Sequence, residues 1–448
     1  MRDGQTSGAS VLVIGAGPAG LFAAGALADL GVNVALLNRD LRPGGLAEYG
    51  IYHSKHKVKS VLRRQFGKIL GRDEIVYYGN VTVGESADLS LTQLREMGFD
   101  AIVVAVGAQG TKWLGLPGED LTGVYHAKEL IYAYNSLPPY SELIFEIGKR
   151  VALIGVGNVM ADVVRWLVRD LEVDEVAAVA RRGPAEVKFT RAEFAHVIAN
   201  LDLDAFDGEI ERVRARMEAV DQDVATAKSF ILSAQGRAEP ATSETRVGFR
   251  FLSSPKRIVG DAAGNVVALE VENTALVLNE AGVTKASRLG TTHELDVDTV
   301  IFCIGDRVSD DLGLPIAWNA YVKHPEPRYA VDGISFEAYD PERAEAVDGV
   351  FVVGWAREAS TGQVALARKD ALACVRSVWA YLEARESTPA SGEAMQRLQT
   401  ALEGLGKPLL TKDAVVRLHE IEASEAERLG VEAFRFDTNV VMLEALGL

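Results

Sequence analysis

Two short glycine-rich turns, about 140 residues apart, are the features of this sequence with the clearest chemical use. The first reads Gly15-Ala16-Gly17-Pro18-Ala19-Gly20, and the second reads Gly155-Val156-Gly157-Asn158-Val159-Met160-Ala161. In such a turn the first glycine permits a sharp bend, the second lets backbone approach a pyrophosphate, and the third lets the following helix lie close to the strand. Alanine is an accepted variant at the third position. The two turns predict that the chain binds two dinucleotides.

Each turn lies where a nucleotide-binding unit would need it. An apolar stretch, residues 11–14, precedes the first turn, an alanine-rich stretch follows it, and the apolar residues 151–154 precede the second. Strand, turn and helix in this order form the dinucleotide-binding unit. The uncharged residues 11–28 could also suggest a membrane span, but their glycines and proline favour a buried strand and helix.

The residues that end the second strand of each unit indicate which nucleotide is bound. In the first unit Asn38 stands where the pattern has an acidic residue that binds a ribose, and its amide oxygen can still accept one such bond. In the second unit the strand is followed by Arg181 and Arg182, whose guanidinium groups suit a 2′-phosphate. This pattern favours NADPH over NADH, although paired arginines can also form a solvated surface corner.

Two later segments, residues 298–305 and 349–355, are apolar strands that run into a glycine. The second is followed by Thr361-Gly362-Gln363-Val364-Ala365, which is typical of a helix start. Because amides at a helix N-terminus can bind an electron-rich ring, this segment is predicted to complete the first nucleotide site. For residues 298–305 an ordinary core strand is an open alternative.

These residues resemble the flavoprotein reductases of the adrenodoxin reductase type, including the bacterial ferredoxin-NADP reductases. The resemblance covers most of residues 9–385, and its most specific pieces are Gly157-Asn158-Val159 with Asp162, residues 180–184, Phe189-Thr190 with Glu193, residues 249–255, and Gly354-Trp355. It implies FAD in the first domain, NADPH in the second, and electrons passed to a ferredoxin-like iron-sulfur protein or in reverse. A flavin suits this role because it accepts a hydride and releases electrons singly.

The resemblance also implies which residues form each site. The residues expected to bind FAD are Gly15, Gly17, Pro18, Ala19, Gly20, Asn38, Arg39, Gly45, Leu46, Val81, Ala105, Gly107, Gly354, Trp355, Gly362, Gln363 and Val364. Those expected to bind NADPH are Gly157, Asn158, Val159, Arg181, Arg182 and Glu193. Asp162 and Trp355 are the implied catalytic residues.

Two features depart from this family. Ser54-Lys55-His56 stands where the family usually has Asp-His-Pro, so a proton route through that histidine is not expected. Gly44-Gly45-Leu46 resembles instead the glutamate synthase small subunit, a related NADPH-oxidising flavoprotein with cysteine-bound iron-sulfur clusters in an N-terminal extension. About ten residues precede the first strand here and none is cysteine, so such clusters are not expected in this polypeptide.

The sequence contains two cysteines, Cys303 and Cys374, and neither belongs to a CxxC motif. Since disulfide reductases need a redox-active pair, their chemistry is not expected here. Low cysteine content, with no secretory signal pattern and no credible membrane span, predicts a cytoplasmic location. The seven histidines show no metal-ligand spacing, and no metal site is predicted.

Charge is unevenly distributed along the chain. The formal net charge of -16 argues against nucleic acid as a partner. Residues 53–72, however, contain seven lysines and arginines and no acidic residue. Lys57, Lys59, Arg63 and Arg64 are predicted to attract an acidic ferredoxin, and a solvated helix face is the alternative.

The order of the motifs predicts an α/β fold with two Rossmann-like three-layer nucleotide-binding domains, in a glutathione reductase-like arrangement. The FAD domain is discontinuous, residues 1–109 and 330–385, and the NADP domain, residues 110–329, is inserted in it. Residues 386–448 form a helical C-terminal extension expected to pack on the FAD domain. Two other functions remain open: a subunit of a larger iron-sulfur oxidoreductase and a non-catalytic FAD and NADP(H) sensor. The sequence does not specify the oligomeric state.

Overall fold

The structure is a computed structural model that describes residues 8–359, 364–385 and 391–448 of the 448-residue chain. The chain divides by its contacts into two units. Unit 1 comprises residues 1–110, 132–142 and 306–448, and unit 2 comprises residues 111–131 and 143–305. The sequence analysis assigned residues 306–329 to the second domain, whereas their contacts place them in unit 1.

Most strands of the two parallel sheets are short, and the two longest strands lie in unit 2. In chain order they are β1 (Ser10–Ile14), β2 (Asn33–Asn38), β3 (Ile75–Gly79), β4 (Ala101–Val104), β5 (Gly110–Thr111), β6 (Val124–His126), β7 (Arg150–Ile154), β8 (Glu175–Val179), β9 (Arg246–Arg250), β10 (Ser253–Gly260), β11 (Val266–Leu278), β12 (Thr284–Asp296), β13 (Thr299–Phe302), β14 (Asp306–Arg307), β15 (Ile316–Ala317), β16 (Ala320–Tyr321), β17 (Glu337–Asp340) and β18 (Glu345–Val352).

The helices connect these strands and form the C-terminal extension. In chain order they are α1 (Pro18–Asp29), α2 (Leu46–Tyr49), α3 (His56–Leu70), α4 (Leu91–Glu96), α5 (Ala127–Tyr134), α6 (Asn158–Arg169), α7 (Arg191–Phe194), α8 (Leu203–Glu218), α9 (Val224–Leu232), α10 (Val364–Ala384), α11 (Ser391–Glu403), α12 (Lys412–Leu429) and α13 (Asn439–Leu446). None of the described helices has the length and apolar character that crossing a bilayer requires.

Unit 1 is built on a six-stranded sheet in the order β17-β18-β4-β1-β2-β3, parallel except for β17. Alternate residues of a strand face opposite sides. Val11 and Val13 of β1 accordingly pack in a core with α1 and α10, whereas Leu12 and Ile14 pack in a second core with α4 and α11. The sheet is therefore covered on both faces, which confirms the predicted three-layer α/β fold.

The connections of unit 1 reverse direction at β1, because β2 lies on one side of it and β4 on the other. In open parallel sheets, ligands bind at the carboxyl ends of the strands beside such a reversal. The first glycine turn follows β1 at this place.

Unit 2 contains a five-stranded parallel sheet in the order β6-β13-β7-β8-β9. One face is covered by an antiparallel sheet, β10-β11-β12, through Ile258, Leu269 and Val271. Helix α6 buries Val163 and Leu167. In the structure β9 belongs to the parallel sheet, and the antiparallel strands extend to Asp296.

The C-terminal extension packs on unit 1. Leu398 and Leu402 of α11 join the core beneath β1. Leu410 pairs with Gly79 of β3 through two backbone hydrogen bonds of 2.8 and 3.1 Å. Beyond it, Leu418 of α12 packs in a separate small core with Leu41.

Candidate functional site

The first glycine turn lies at the carboxyl end of β1. Gly15 has a φ of 106°, and a Cβ there would lie 2.6 Å from the carbonyl oxygen of Ala105. A Cβ on Gly20 would lie 1.8 Å from the carbonyl oxygen of Gly15. Both positions therefore require glycine. The structure also brings Ala105, a predicted FAD residue, against the turn.

Gly17 has a different environment. No described atom lies within 4 Å of a Cβ built on it. Gly17 precedes α1, which starts with Pro18 and Ala19, and no side chain of the described residues caps this helix end. The amides of a helix N-terminus carry partial positive charge and attract anions. The open space and the uncapped helix end together fit a pyrophosphate.

Two other predicted FAD residues lie against the same turn. A Cβ on Gly45 would lie 2.9 Å from the Cα of Gly17, and a Cβ on Gly354 would lie 2.7 Å from the Cβ of Ala19. The amide of Gly44 donates a hydrogen bond of 2.7 Å to the carbonyl oxygen of Ala16. Segments from both ends of the sequence therefore meet at one turn, as predicted from the motifs.

The amide side chain of Asn38 is used inside unit 1. It is buried, and its Oδ1 accepts a hydrogen bond of 3.0 Å from the backbone amide of Ala16. Its Nδ2 donates to the carbonyl oxygens of Asp40 and Arg42 at 2.8 and 3.2 Å. Asn38 thus holds the glycine turn and the following loop together, a role that the sequence did not reveal. Its predicted ribose contact stays a prediction.

The remaining predicted FAD residues of the first segment are placed as follows. Arg39 bonds Asp40 and, through Nη1, the side-chain oxygen of Gln109 at 3.2 Å. Leu46 begins α2. Val81 is buried and donates from its amide to the carbonyl oxygen of Asn38 at 2.9 Å.

The later predicted FAD residues follow the carboxyl ends of β4 and β18. Gly107 has a φ of 69°. Trp355 lies in the 3-10 turn Gly354–Ala356, and Val364 begins α10. Gly362 and Gln363 lie outside the described residues, so the predicted FAD contacts of this helix start stay predictions.

The second glycine turn repeats the geometry of the first. Gly155 has a φ of 120°, and a Cβ there would lie 2.5 Å from the carbonyl oxygen of Cys303. Gly157 precedes α6, and no described atom lies within 4 Å of a Cβ built on it. Asn158 Oδ1 accepts a hydrogen bond of 2.8 Å from the amide of Thr190. The turn therefore leaves space for a phosphate and is tied to the loop before α7.

Arg181 and Arg182 follow β8 directly. Because β7 and β8 are parallel, with Ile154 opposite Val179, both arginines lie at the sheet edge that carries the second glycine turn. Neither guanidinium forms an ion pair with a described residue. Two cations that form no ion pair within the described part of the chain, beside a turn with space for a phosphate, fit a second phosphate group.

A third arginine at this edge was missed by the sequence analysis as a candidate ligand. Arg250 ends β9 opposite Val179, and its side chain is 43% exposed. Its carboxylate neighbour, Glu209, lies 3.8 Å away. An arginine at the end of a strand, or within two residues after it, recurs from β8 to β9 and could have identified Arg250.

Asp162 and Glu193 lie on two different helices of unit 2. Asp162 is half-buried in the second turn of α6. Glu193 lies on α7, and its amide donates a hydrogen bond to the side chain of Thr190 at 3.3 Å. Thr190 also contacts Asn158, so α7 is anchored next to the glycine turn. The ligand roles of these two residues stay predictions.

Helix α3 does not expose all four cations predicted to dock a partner. Lys57 and Arg64 are exposed. Lys59 is buried, and its ammonium group donates to Asn135 Oδ1 at 2.5 Å, while burial lowers its pKa to about 8. Arg63 forms a bidentate pair with Glu48 at 2.6 and 2.7 Å. The prediction was wrong for Lys59, because its side chain is buried. The docking role of Arg63, whose side chain is 27% exposed, stays a prediction.

The two cysteines are free thiols in buried positions. Cys303 lies in unit 2 and Cys374 in α10 of unit 1, and burial raises the pKa of each. Within the described ranges, no three histidine, cysteine or acidic side chains are grouped as metal ligands.

Comparison with known proteins agrees with this geometry. Residues 9–200 match the family model described as pyridine nucleotide-disulphide oxidoreductase. The NADPH-ferredoxin reductase FprA of Mycobacterium tuberculosis is 30% identical over 395 residues, which cover 81% of each protein. The mitochondrial NADPH:adrenodoxin oxidoreductase of Mus musculus is 29% identical over 397 residues, covering 80% of this chain and 76% of that protein.

A solved structure of Mycobacterium tuberculosis FprA in complex with NADPH matches with a TM-score of 0.80 and 26% sequence identity. The match covers 98% of this chain and 100% of that chain. The identity and extent of these matches show that this chain belongs to the family of the NADPH-ferredoxin and NADPH:adrenodoxin reductases.

Proposed function

We propose that this enzyme transfers electrons between NADPH and a ferredoxin-like iron-sulfur protein through FAD. The observation that carries the proposal is the pair of glycine turns, each with open space at its second glycine and an uncapped helix behind it. The named relatives act with NADPH and with ferredoxin or adrenodoxin, which supports the same pair of substrates here.

The residues beside the two turns differ, and this difference supports the assignment of one nucleotide to each unit. Arg181 and Arg182 stand beside the turn of unit 2, where they would bind the 2′-phosphate of NADPH. The corresponding strand end in unit 1 carries Asn38, whose side chain is neutral and used by the loop. Unit 1 is therefore the proposed FAD-binding domain and unit 2 the proposed NADP-binding domain.

A bound flavin supplies the chemistry of accepting two electrons as a hydride and passing them on singly. The residues of the chain bind and orient. Gly17 and Gly45 would admit the FAD pyrophosphate, and Gly157 with Asn158 that of NADPH. Trp355 and Asp162 are the proposed catalytic residues, and Glu193 is a proposed NADPH ligand.

The buried thiols support an electron acceptor outside this chain. A disulfide reductase requires a thiolate that can reach its substrate. Cys303 and Cys374 are buried, and burial disfavours the thiolate of both. Free thiols and a chain with few cysteines also support the proposed cytoplasmic location.

We propose the exposed face of α3 as the docking surface for the iron-sulfur protein. Lys57, Val61, Arg64 and Lys68 follow one another at intervals of four, three and four residues, so they form one stripe along the helix. Val61 is 54% exposed at the centre of the stripe. An apolar centre between cations fits an acidic partner better than a uniformly charged surface does. The alternatives of a larger complex and of a sensor gain no support from the relatives named above.

The test is an anaerobic titration of the purified protein with NADPH, followed by reduction of a panel of ferredoxins. We expect a yellow protein with one FAD per chain, bleaching of the flavin by NADPH, and reduction of at least one ferredoxin. A colourless protein that cannot be reconstituted with FAD, or a bound flavin that NADPH does not reduce, would contradict the proposal.

A further inference from the structure

Five alternating charges form a continuous chain between the C-terminal extension and the loop that follows β2. Arg42 pairs with Glu422 of α12, and Glu422 also pairs with Arg435. Arg435 in turn pairs with Glu48 of α2, which forms the bidentate pair with Arg63 of α3. Glu422 and Arg435 are the two members of this chain that the extension supplies.

Three of the five members of this chain of charges are buried, and Arg435 is 16% exposed. The side chains of Arg42, Glu422 and Glu48 are 1%, 4% and 6% exposed. Arg42 also donates to the carbonyl oxygen of Phe436 at 3.0 Å, and the amide of Phe436 donates to Glu422. Removing one partner from a buried ion pair leaves an uncompensated charge, so each member depends on its neighbours.

The chain of charges contacts the protein on both sides of the loop of residues 42–46, which packs against the first glycine turn. Arg42 precedes Gly44, whose amide is bonded to Ala16, and the carbonyl oxygen of Arg42 accepts from Asn38. Glu48 follows Gly45, the residue that packs on Gly17. The loop is thus fixed before and after its contact with the turn.

We propose that Glu422 and Arg435 are positioning residues for the FAD site. They would set the loop of residues 42–46 against Gly17 and so fix the space in which the pyrophosphate binds. This inference rests on the proposed function and gives the C-terminal extension a role in cofactor binding, in addition to its packing on unit 1.

The test measures FAD affinity of the apoprotein by flavin fluorescence quenching, alongside its thermal unfolding. Glu422→Gln is expected to weaken FAD binding by about tenfold, a change of the size that coupling within one ion-pair network can produce. The matched control is Asp88→Asn, which breaks another ion pair between the extension and unit 1, Lys407 to Asp88 at 2.6 Å, away from the loop. This control is expected to change FAD affinity by less than about twofold.

A second variant separates positioning from stability. In Arg42→Met with Glu422→Met, apolar groups replace the buried pair, so the stability of the apoprotein should recover. FAD binding should stay weak, because no ion pair then ties α12 to the loop. Recovery of both properties, or an affinity equal to that of the control, would overturn the inference.

If Glu422→Gln does not fold, Arg435→Lys decides the question. This variant keeps the charge but cannot bridge Glu422 and Glu48 with two nitrogens. Weaker FAD binding supports the inference and unchanged binding overturns it. Wild-type apoprotein that does not bind FAD would instead overturn the proposed function.

Discussion

The side-chain oxygen of Asn38 accepts a hydrogen bond from the backbone amide of Ala16 at 3.0 Å, inside the glycine turn. The same side chain donates to the carbonyl oxygens of Asp40 and Arg42. One neutral amide therefore joins the turn after β1 to the loop after β2. A carboxylate could accept from Ala16 but could not donate to the two carbonyl groups.

Asn38→Ala should loosen the FAD site and lower the stability of unit 1. The substitution leaves one buried donor and two buried acceptors without partners, each worth roughly 1–3 kcal/mol. We expect weaker FAD binding by the apoprotein and a lower unfolding free energy in urea. The FAD affinity and the unfolding free energy of Asn38→Asp should lie between those of wild type and Asn38→Ala. Wild-type FAD affinity in both variants would show that the turn does not depend on this amide.

Gly17→Ala and Gly157→Ala should each remove one nucleotide and leave the fold intact. A Cβ at either position meets no described atom, so the apoprotein should be as stable as wild type or slightly more stable. The same Cβ would occupy the space proposed for a phosphate. We expect Gly17→Ala to be purified without FAD and Gly157→Ala to retain FAD but bind NADPH weakly.

The readouts are flavin content and NADPH titration, with urea unfolding of the apoproteins. Gly20→Ala serves as the comparison, because its Cβ would lie 1.8 Å from the carbonyl oxygen of Gly15 and must disturb the fold. Full FAD content in Gly17→Ala would place the pyrophosphate elsewhere.

Arg181→Ala and Arg182→Ala should reduce the preference for NADPH over NADH. Loss of a charged hydrogen-bonding group is worth roughly 1.5–3 kcal/mol, so the KM for NADPH should rise about tenfold or more. The KM for NADH, which has no 2′-phosphate, should change little. Arg246→Ala is the control, since Arg246 starts β9 at the opposite edge of the sheet and its side chain is 65% exposed. Equal effects on both nucleotides would contradict 2′-phosphate binding.

Reversing the exposed charges of α3 should slow electron transfer to ferredoxin and should leave electron transfer to a small artificial acceptor unchanged. We expect a roughly tenfold or larger fall in kcat/KM for ferredoxin at low salt when Lys57→Glu, Arg64→Glu and Lys68→Glu are combined. The difference between this variant and wild type should be smaller at high salt. NADPH oxidation by ferricyanide should be unchanged. The combined variant Lys285→Glu, Arg95→Glu and Arg237→Glu, at three exposed positions outside α3, controls for the change in total charge. Equal loss with both acceptors would exclude docking on this face.

Lys59 should make the stability of the protein depend on pH in the alkaline range. Its pKa is about 8 in the folded protein and 10.5 when unfolded, with Glu48 opposing the shift and Arg63 adding to it. Between these values the unfolded chain binds more protons, so the contribution of Lys59 to stability rises with pH, by roughly 3 kcal/mol in total. Below pH 8 both states are protonated and the contribution is constant.

The measurement compares urea unfolding of wild type and Lys59→Met from pH 7 to pH 10.5. The unfolding free energy of Lys59→Met, relative to that of wild type, should fall as pH rises. Lys68→Met, an exposed residue of the same helix, should follow wild type at every pH. Parallel curves for wild type and Lys59→Met would show that Lys59 titrates normally.

The sequence predicted the parts of the site that depend on local geometry. Gly15, Gly20 and Gly155 are required by contacts within one strand-turn-helix unit, which a motif can report. The same holds for the position of Arg181 at the end of its strand. The cover on both faces of the first sheet agrees with the continuous apolar run of β1, which is typical of a strand buried on both sides.

Contacts between distant parts of the chain could not be predicted in this way. Arg42 and Glu422 are 380 positions apart, and Lys59 and Asn135 are 76 apart. The basic run of α3 appeared uniform in the sequence, yet its buried face holds Lys59 and its exposed face Lys57. Only the tertiary neighbours decide which cations remain available.

The pairing of Leu410 with Gly79 has a consequence for the behaviour of the protein at high concentration. Strand β3 is the last strand of its sheet, and an open edge of this kind offers unpaired amides and carbonyl groups to neighbouring molecules. Because the segment after α11 pairs with Gly79, it covers the end of this edge and leaves less of it for intermolecular sheet growth. A chain shortened before Leu410 would lose that protection and should self-associate through β3.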